Sequence, residues 1–136
     1  MAADVSRIRT VVVDDSPVFL RTVCKFLARY KGVDVVATAD NAFAAIRAVD
    51  CFKPDLVLLD FHLPLVNGLE AMAQIRCRFP APRVVILTGY DEPELRKASL
   101  EGGAFAFIPK AGVSRQLPFL LARIASAQTV RERHRF

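Results

Sequence analysis

The chain has 136 residues, 53% of them hydrophobic and 24% charged, with a formal net charge of +5. This length suits one domain with one core, and the hydrophobic content excludes a wholly disordered chain. Most of the positive excess falls in residues 114–136, which hold five arginines and one glutamate. The charge is therefore typical of a solvated last helix with a basic tail, although a basic arm or the start of a linker fits it too.

Other features of the composition indicate a cytoplasmic protein. The three cysteines, Cys24, Cys51 and Cys77, are widely spaced and form no CxxC pair, so we expect reduced thiols that pack within helices. The first ten residues lack the apolar segment of a signal peptide. No apolar run approaches the roughly 18 residues that a membrane span requires, so we expect no membrane association.

Five short apolar runs alternate along the chain with segments of helical periodicity. The runs are nearly continuous in Val, Ile, Leu and Phe, which is typical of strands buried on both faces. They span residues 10–14, 33–38, 55–60, 83–88 and 104–108. This alternation predicts an α/β domain of (βα)5 type, with a doubly wound, five-stranded parallel sheet and helices on both faces.

Capping residues predict where the helices begin and end. Ser16 and Pro17 are suited to open the first helix, and residues 67–70 resemble a capping box that opens the third. Asp91 and Pro93 are predicted to open the fourth helix, whose weak apolar stripe suggests the least firm packing, and residues 102–103 to close it. Ser114 is predicted to cap the fifth helix. We expect the domain to span residues 1–127, with residues 128–136 as a basic tail or linker start.

Polar side chains cluster where the predicted strands end. Asp14 and Asp15 follow the first strand, Asp60 ends the third, Thr88 ends the fourth, and Lys110 follows the fifth. Ligands bind beyond the carboxyl ends of strands in such sheets. Two carboxylates about 5 Å apart repel by roughly 3 kcal/mol at an effective dielectric near 20. Three carboxylates beside one lysine therefore predict a hard divalent cation, for which Mg²⁺ is suited, and a carboxylate beside Mg²⁺ is placed to attack phosphorus.

Four segments carry a resemblance to a known family: VVVDDSPVFLR, LVLLDFHLPLVNGLE, VVILTGY and GGAFAFIPK. Over residues 8–127 the chain resembles a response regulator receiver domain of bacterial two-component systems, of the kind found in chemotaxis regulators. The resemblance implies a flavodoxin-like fold and a phosphorylation-activated signalling switch. It also implies that a sensor histidine kinase or a histidine phosphotransfer protein phosphorylates Asp60.

The resemblance further implies a role for each residue at the strand ends. Asp14 and Asp15 would hold Mg²⁺ together with the phosphoacceptor and the backbone carbonyl of His62. Thr88 and Lys110 would bind the phosphoryl group. The face formed by the fourth helix, fifth strand and fifth helix would then control homodimerisation or docking of an effector protein, without specific nucleic-acid binding by this domain.

Three positions depart from the usual pattern of the family. Phe107, at the position of the switch aromatic, lacks the hydroxyl of the frequent tyrosine. Lys110 precedes Ala111 where many relatives have proline after a cis bond, so we expect a trans bond here. His62 and Tyr90 stand two residues after the phosphoacceptor and the threonine, where they would flank the path of attacking water and tune the phosphate lifetime, unless they are merely surface residues.

Other functions share parts of this pattern. A phosphatase of the haloacid dehalogenase type also uses an aspartate nucleophile, but it requires a second aspartate at the position of His62. A flavin mononucleotide protein has the same sheet order, but Asp14 and Asp15 would repel its phosphate. A receiver-like binding module that works without phosphorylation stays open. We expect no enzymatic activity beyond self-catalysed phosphotransfer and autodephosphorylation.

Overall fold

A computed structural model describes residues 7–133, without the side chains of residues 129–133. Five strands alternate with five helices, as the apolar pattern predicts. The strands are β1 (Ile8–Val13), β2 (Val33–Ala39), β3 (Leu56–Asp60), β4 (Arg83–Thr88) and β5 (Ala106–Pro109). The helices are α1 (Pro17–Leu27), α2 (Ala42–Phe52), α3 (Gly68–Arg76), α4 (Pro93–Glu101) and α5 (Val113–Arg133).

The strands form one parallel sheet in the order β2-β1-β3-β4-β5. The chain winds outward in one direction from β1 to β2 and in the other from β3 to β5. The topological switch point therefore lies between β1 and β3, where Val13 pairs with Leu59. The predicted fold class is confirmed.

The sheet separates two hydrophobic cores because successive side chains of a strand point to opposite faces. On one face Val11, Leu59 and Ile86 pack with α2 and α3. On the other face Val12, Leu58 and Leu87 pack with α1 and α5. Burial on both faces explains why the strands are continuously apolar in sequence.

The predicted helix starts are right for α1 and α3, right for α4 at Pro93 but not at Asp91, and wrong for α5. The Ser16 hydroxyl accepts a hydrogen bond from the third residue of α1, and the capping box at the start of α3 is complete. The fourth helix begins at Pro93, but its cap is Glu92, which makes no side-chain capping bond. A 3₁₀ turn over residues 110–112 leads directly into α5, so Ser114 lies inside that helix rather than capping it.

Packing of α4 is as light as its sequence predicts, because Ser99 is its one fully buried residue. By contrast, the predicted packing of the cysteines is wrong in part. All three are free thiols, but Cys51 and Cys77 are exposed, and Cys24 is half-buried.

Both ends of the chain extend past the described residues. Helix α5 continues to Arg133, beyond residue 127 where we expect the domain to end. The predicted absence of a signal peptide concerns residues 1–10, of which residues 1–6 lie outside the described range. The end of the basic tail, residues 134–136, lies outside it as well. Between residues 7 and 133, each helix is too short or too polar to span a bilayer.

Candidate functional site

An acidic cluster lies at the switch point of the sheet. The parallel register of β1 and β3 brings the residue after Val13 beside the last residue of β3. As a result, Asp14, Asp15 and Asp60 each present a carboxylate oxygen within 4.8 Å of the others. Asp14 and Asp60 are almost completely buried, whereas Asp15 is exposed to solvent.

Burial and neighbouring charge raise the pKa of Asp60. Loss of solvent is the largest cause, and the negative charge of Asp14 adds to it. The Lys110 ammonium and the backbone N–H of His62, which donates to Asp60 Oδ1 over 3.2 Å, act in the opposite direction. Ionisation of Asp60 is therefore less favourable in the folded protein than in water, and a bound cation would reduce this free-energy cost.

Lys110 supplies the one positive side chain within this cluster among residues 7–128. Its Nζ lies 2.6 Å from Asp14 Oδ2 and 3.5 Å from Asp60 Oδ2, so the ammonium is closer to the first carboxylate. The predicted trans bond between Lys110 and Ala111 is confirmed, since the cis bond in the described chain precedes Pro80.

The cluster fits a hard divalent cation. Its donors are all carboxylate oxygens, the ligands that Mg²⁺ prefers. Asp14 Oδ2 is buried, and the Lys110 ammonium, 2.6 Å away, is its charged partner among the described residues. One ammonium also leaves three carboxylates with a net charge of −2, which a divalent cation would neutralise.

Thr88 ends β4 one residue beyond the partner of Asp60 in the sheet register. It is completely buried, and its Oγ1 accepts a hydrogen bond from the backbone N–H of Tyr90 over 3.1 Å. Because that contact uses the oxygen as an acceptor, the hydroxyl proton stays available for donation.

Two aromatic side chains meet at the surface beside these strand ends. The His62 ring contacts Tyr90 edge-on with 5.7 Å between centroids, and it also lies 4.9 Å from the Phe61 ring. Both His62 and Tyr90 are exposed. The structure therefore brings together the two residues that the sequence predicts beside the site.

Gly68 keeps the loop between β3 and α3 close to the acidic cluster. Its N–H donates to the Phe61 carbonyl over 2.7 Å. A Cβ at this position would lie 2.7 Å from Phe61 Cα and 2.9 Å from the Asp60 carbonyl oxygen, both backbone atoms. Any larger residue would therefore displace the loop that follows Asp60.

Phe107, the predicted switch residue, is buried beneath α4 with only 3% of its surface exposed. Arg96 of α4 covers its ring, with the guanidinium carbon 4.8 Å from the ring centroid. The same guanidinium pairs with Asp91 over 3.2 Å. The sequence did not indicate this contact, because an arginine on a polar helix usually has its charge in solvent.

These strand ends define a domain that presents a buried aspartate within an acidic cluster that could hold a metal ion. The family model of the response regulator receiver domain matches residues 10–121. The chain belongs to this family, and the predicted resemblance is confirmed.

Relatives of known sequence and structure agree with this assignment. The chain is 32% identical to the chemotaxis protein CheY of Listeria monocytogenes over 120 residues, which are 88% of this chain and 94% of that protein. It is 34% identical to the probable transcriptional regulatory protein NarL of Mycobacterium tuberculosis, covering 76% of this chain and 48% of the relative. The solved signal receiver domain of that NarL superposes with a TM-score of 0.81 at 30% identity, over 89% of this chain and 98% of the other.

Proposed function

We propose that this receiver domain is switched by phosphorylation of Asp60. The observation that carries the proposal is the convergence of a nearly buried Asp60 with Asp14, Asp15 and Lys110 at the switch point. The phosphoryl donor would be a phosphohistidine on a sensor histidine kinase or a histidine phosphotransfer protein. A carboxylate oxygen of Asp60 forms a bond to phosphorus as the phosphorus–nitrogen bond to the donor breaks, and the electron pair of that bond stays on the histidine nitrogen.

The proposed cation ligands are Asp14, Asp15, Asp60 and the backbone carbonyl of His62. When bound, Mg²⁺ supplies positive charge next to the phosphoryl oxygens. The Lys110 ammonium, 2.6 Å from Asp14 Oδ2 and 3.5 Å from Asp60 Oδ2, would supply a second positive charge. The Thr88 hydroxyl, whose proton is not committed to the Tyr90 contact, donates to a phosphoryl oxygen after transfer.

Hydrolysis of the acyl phosphate would end the signal. Water must approach phosphorus opposite the Asp60 oxygen, and His62 and Tyr90 would flank this approach. If their rings, in edge-on contact 5.7 Å apart, restrict this approach, they would lengthen the phosphate lifetime. We propose no enzymatic activity beyond this transfer and hydrolysis on the protein's own Asp60 side chain. For its location we propose the cytoplasm, because free thiols such as its three cysteines are typical of a reducing compartment.

The proposed output face consists of α4, β5 and α5. Three observations support it: α4 is lightly packed, β5 is an edge strand, and Phe119 of α5 is 76% exposed. A shallow groove of about 290 Å³ runs between β5 and α5 beside Phe119.

Phosphorylation would draw Thr88 toward the phosphoryl group and release space for the Phe107 ring. Helix α4 would then shift, and the output face would bind a second copy of the chain or an effector protein. We propose no sequence-specific binding of nucleic acid by this domain.

Hydrogen exchange with and without beryllofluoride, a phosphoryl mimic, tests the proposed face. Altered exchange should concentrate in residues 88–113, with little change in residues 19–50. A uniform response, or one confined to α1 and α2, would contradict the proposed face. A chain that neither accepts phosphoryl groups nor responds to the mimic would instead be a binding module that works without phosphorylation.

A further inference from the structure

Besides its ion pairs with Asp14 and Asp60, the Lys110 ammonium contacts an aromatic ring, that of Phe19. Its Nζ lies 4.4 Å from the centroid of the Phe19 ring, a separation at which an ammonium is attracted to the negative face of an aromatic ring. The side chain of Lys110 is 24% exposed, so this attraction acts in a partly desolvated setting. Carboxylates and an aromatic ring thus both contact one ammonium.

The ring is fixed relative to the acidic cluster by the start of α1. The Ser16 backbone N–H donates to Asp14 Oδ1 over 2.8 Å, and the Ser16 hydroxyl accepts from the Phe19 backbone N–H over 3.2 Å. Pro17 then fixes the first helical residue. One short segment therefore places both the carboxylate and the ring that contact Lys110.

Open space lies on the same side of Lys110. A cavity of about 230 Å³ borders the Lys110 side chain. It is lined by residues of α1, which include Phe19, Thr22 and Phe26, and by Lys110, Ala111, Val113 and Ser114. Lysine has a long, flexible stem, and the backbone at Lys110 continues into a short 3₁₀ turn. Without the ring, the ammonium would be free to turn from the carboxylates into this space.

We propose that Phe19 is a positioning residue for Lys110 in phosphoryl transfer. The ring holds the ammonium beside Asp14 and Asp60, so that its charge is in place when a phosphoryl group arrives. This inference rests on the proposed phosphorylation of Asp60 and extends it, since nothing in the acidic cluster alone requires an aromatic residue at position 19.

Phosphorylation by acetyl phosphate in Mg²⁺ tests the role of the ring in four proteins: the wild-type chain and its Phe19→Leu, Phe19→Tyr and Phe26→Leu variants. Phe26 is the matched control, because it is a half-buried aromatic residue on α1 that lines the same cavity but packs against Tyr30. Loss of the ring at position 19 should slow phosphorylation about fivefold, because a cation–π contact of ~1 kcal/mol corresponds to that factor in rate. The Phe19→Tyr variant, which keeps the ring, and Phe26→Leu should both stay within about twofold of wild type.

Mg²⁺ affinity separates positioning from a structural role. A displaced α1 would move Asp14 and Asp15 and weaken Mg²⁺ binding together with the rate. A freed Lys110 leaves the metal affinity of the Phe19→Leu variant equal to that of wild type or tighter. Weaker Mg²⁺ binding in that variant would overturn the proposal.

A double-mutant cycle with Lys110→Ala gives the second criterion. In the Lys110→Ala background, Phe19→Leu should have no further effect on the rate, because the ring then has no ammonium to hold. An equal slowing in both backgrounds would contradict the inference, and so would an equal slowing by Phe19→Leu and Phe26→Leu. A wild-type chain that takes up no phosphoryl group would instead overturn the proposed function.

Discussion

Replacement of Asp60 by asparagine should stabilise the metal-free protein at neutral pH. Asp60 is 2% exposed and its pKa is raised, so its charged form is less favourable in the folded chain than in the unfolded chain. Asparagine keeps the shape of the side chain without its charge. The Lys110 ammonium keeps its closer partner, Asp14, at 2.6 Å.

Opposing interactions of Asp60 set the size of the effect. Repulsion from Asp14, with oxygens within 4.8 Å, amounts to about 3.5 kcal/mol at an effective dielectric near 20. Attraction to Lys110 over 3.5 Å is about 5 kcal/mol on the same scale. The attraction to Lys110 exceeds the repulsion from Asp14 by about 1.5 kcal/mol. The loss of solvent, which is the largest cause of the raised pKa, and the charge of Asp15 outweigh this difference and determine the sign. We expect the free energy of unfolding to rise by about 1 kcal/mol, within the range of other stabilising substitutions.

Urea unfolding in EDTA at a series of pH values measures this effect. Because the folded pKa of Asp60 is raised, the folded state binds the proton more tightly than the unfolded state. The stability of the wild type relative to Asp60→Asn is therefore highest in acid, and it falls as pH rises through the folded pKa. The advantage of asparagine should be present at pH 7 and absent below the ordinary aspartate pKa.

Asp50→Asn is the matched control, because a hydrogen bond from Arg78 lowers the pKa of this exposed carboxyl. Its contribution to stability is present at neutral pH and is lost as pH falls, so this variant should gain nothing at pH 7. A loss of stability in Asp60→Asn at pH 7, or an advantage that does not depend on pH, would refute the reasoning for Asp60.

Three further substitutions test the cation site and the region around α4. Asp15→Ala should weaken Mg²⁺ binding by more than about tenfold in calorimetric titrations, since even outer-shell partners contribute that much; unchanged affinity would place the metal elsewhere. Arg96→Ala removes the guanidinium from the Phe107 ring and should increase the affinity for beryllofluoride about two- to fivefold by favouring the switched state. An unchanged or weaker affinity would mean that Arg96 does not hold the resting state. Ser99→Ala removes a buried hydroxyl that lacks a hydrogen-bond partner among the described residues, so thermal unfolding should show equal or greater stability. A loss of more than about 1 kcal/mol in the free energy of unfolding would contradict this account of α4.

The acidic cluster was predictable from sequence because parallel topology leaves little freedom at the strand ends. Once the apolar runs are taken as parallel strands, residues 14, 60, 88 and 110 must lie along one edge of the sheet. The caps at Ser16 and Asn67 were predictable for a similar reason, since each hydrogen bond reaches only three residues along the chain.

Contacts that depend on how a helix docks were not predictable from sequence. Phe19 lies in the apolar stripe of α1 and resembles any core residue, and its contact with Lys110 joins segments about ninety residues apart. The start of α5 was missed because a 3₁₀ turn after β5 satisfies the backbone without a capping side chain. In the same way, Pro93 opens α4 without help from Asp91, which pairs with Arg96 instead.

Intact-mass spectrometry after incubation with acetyl phosphate and Mg²⁺ tests the central claim most directly. The wild-type chain should gain a single phosphoryl group, and the adduct should be absent from Asp60→Asn. The Asp50→Asn variant, which changes a surface carboxylate, should be modified like wild type. A phosphoryl adduct that persists in Asp60→Asn would contradict the assignment of Asp60 as the phosphoacceptor.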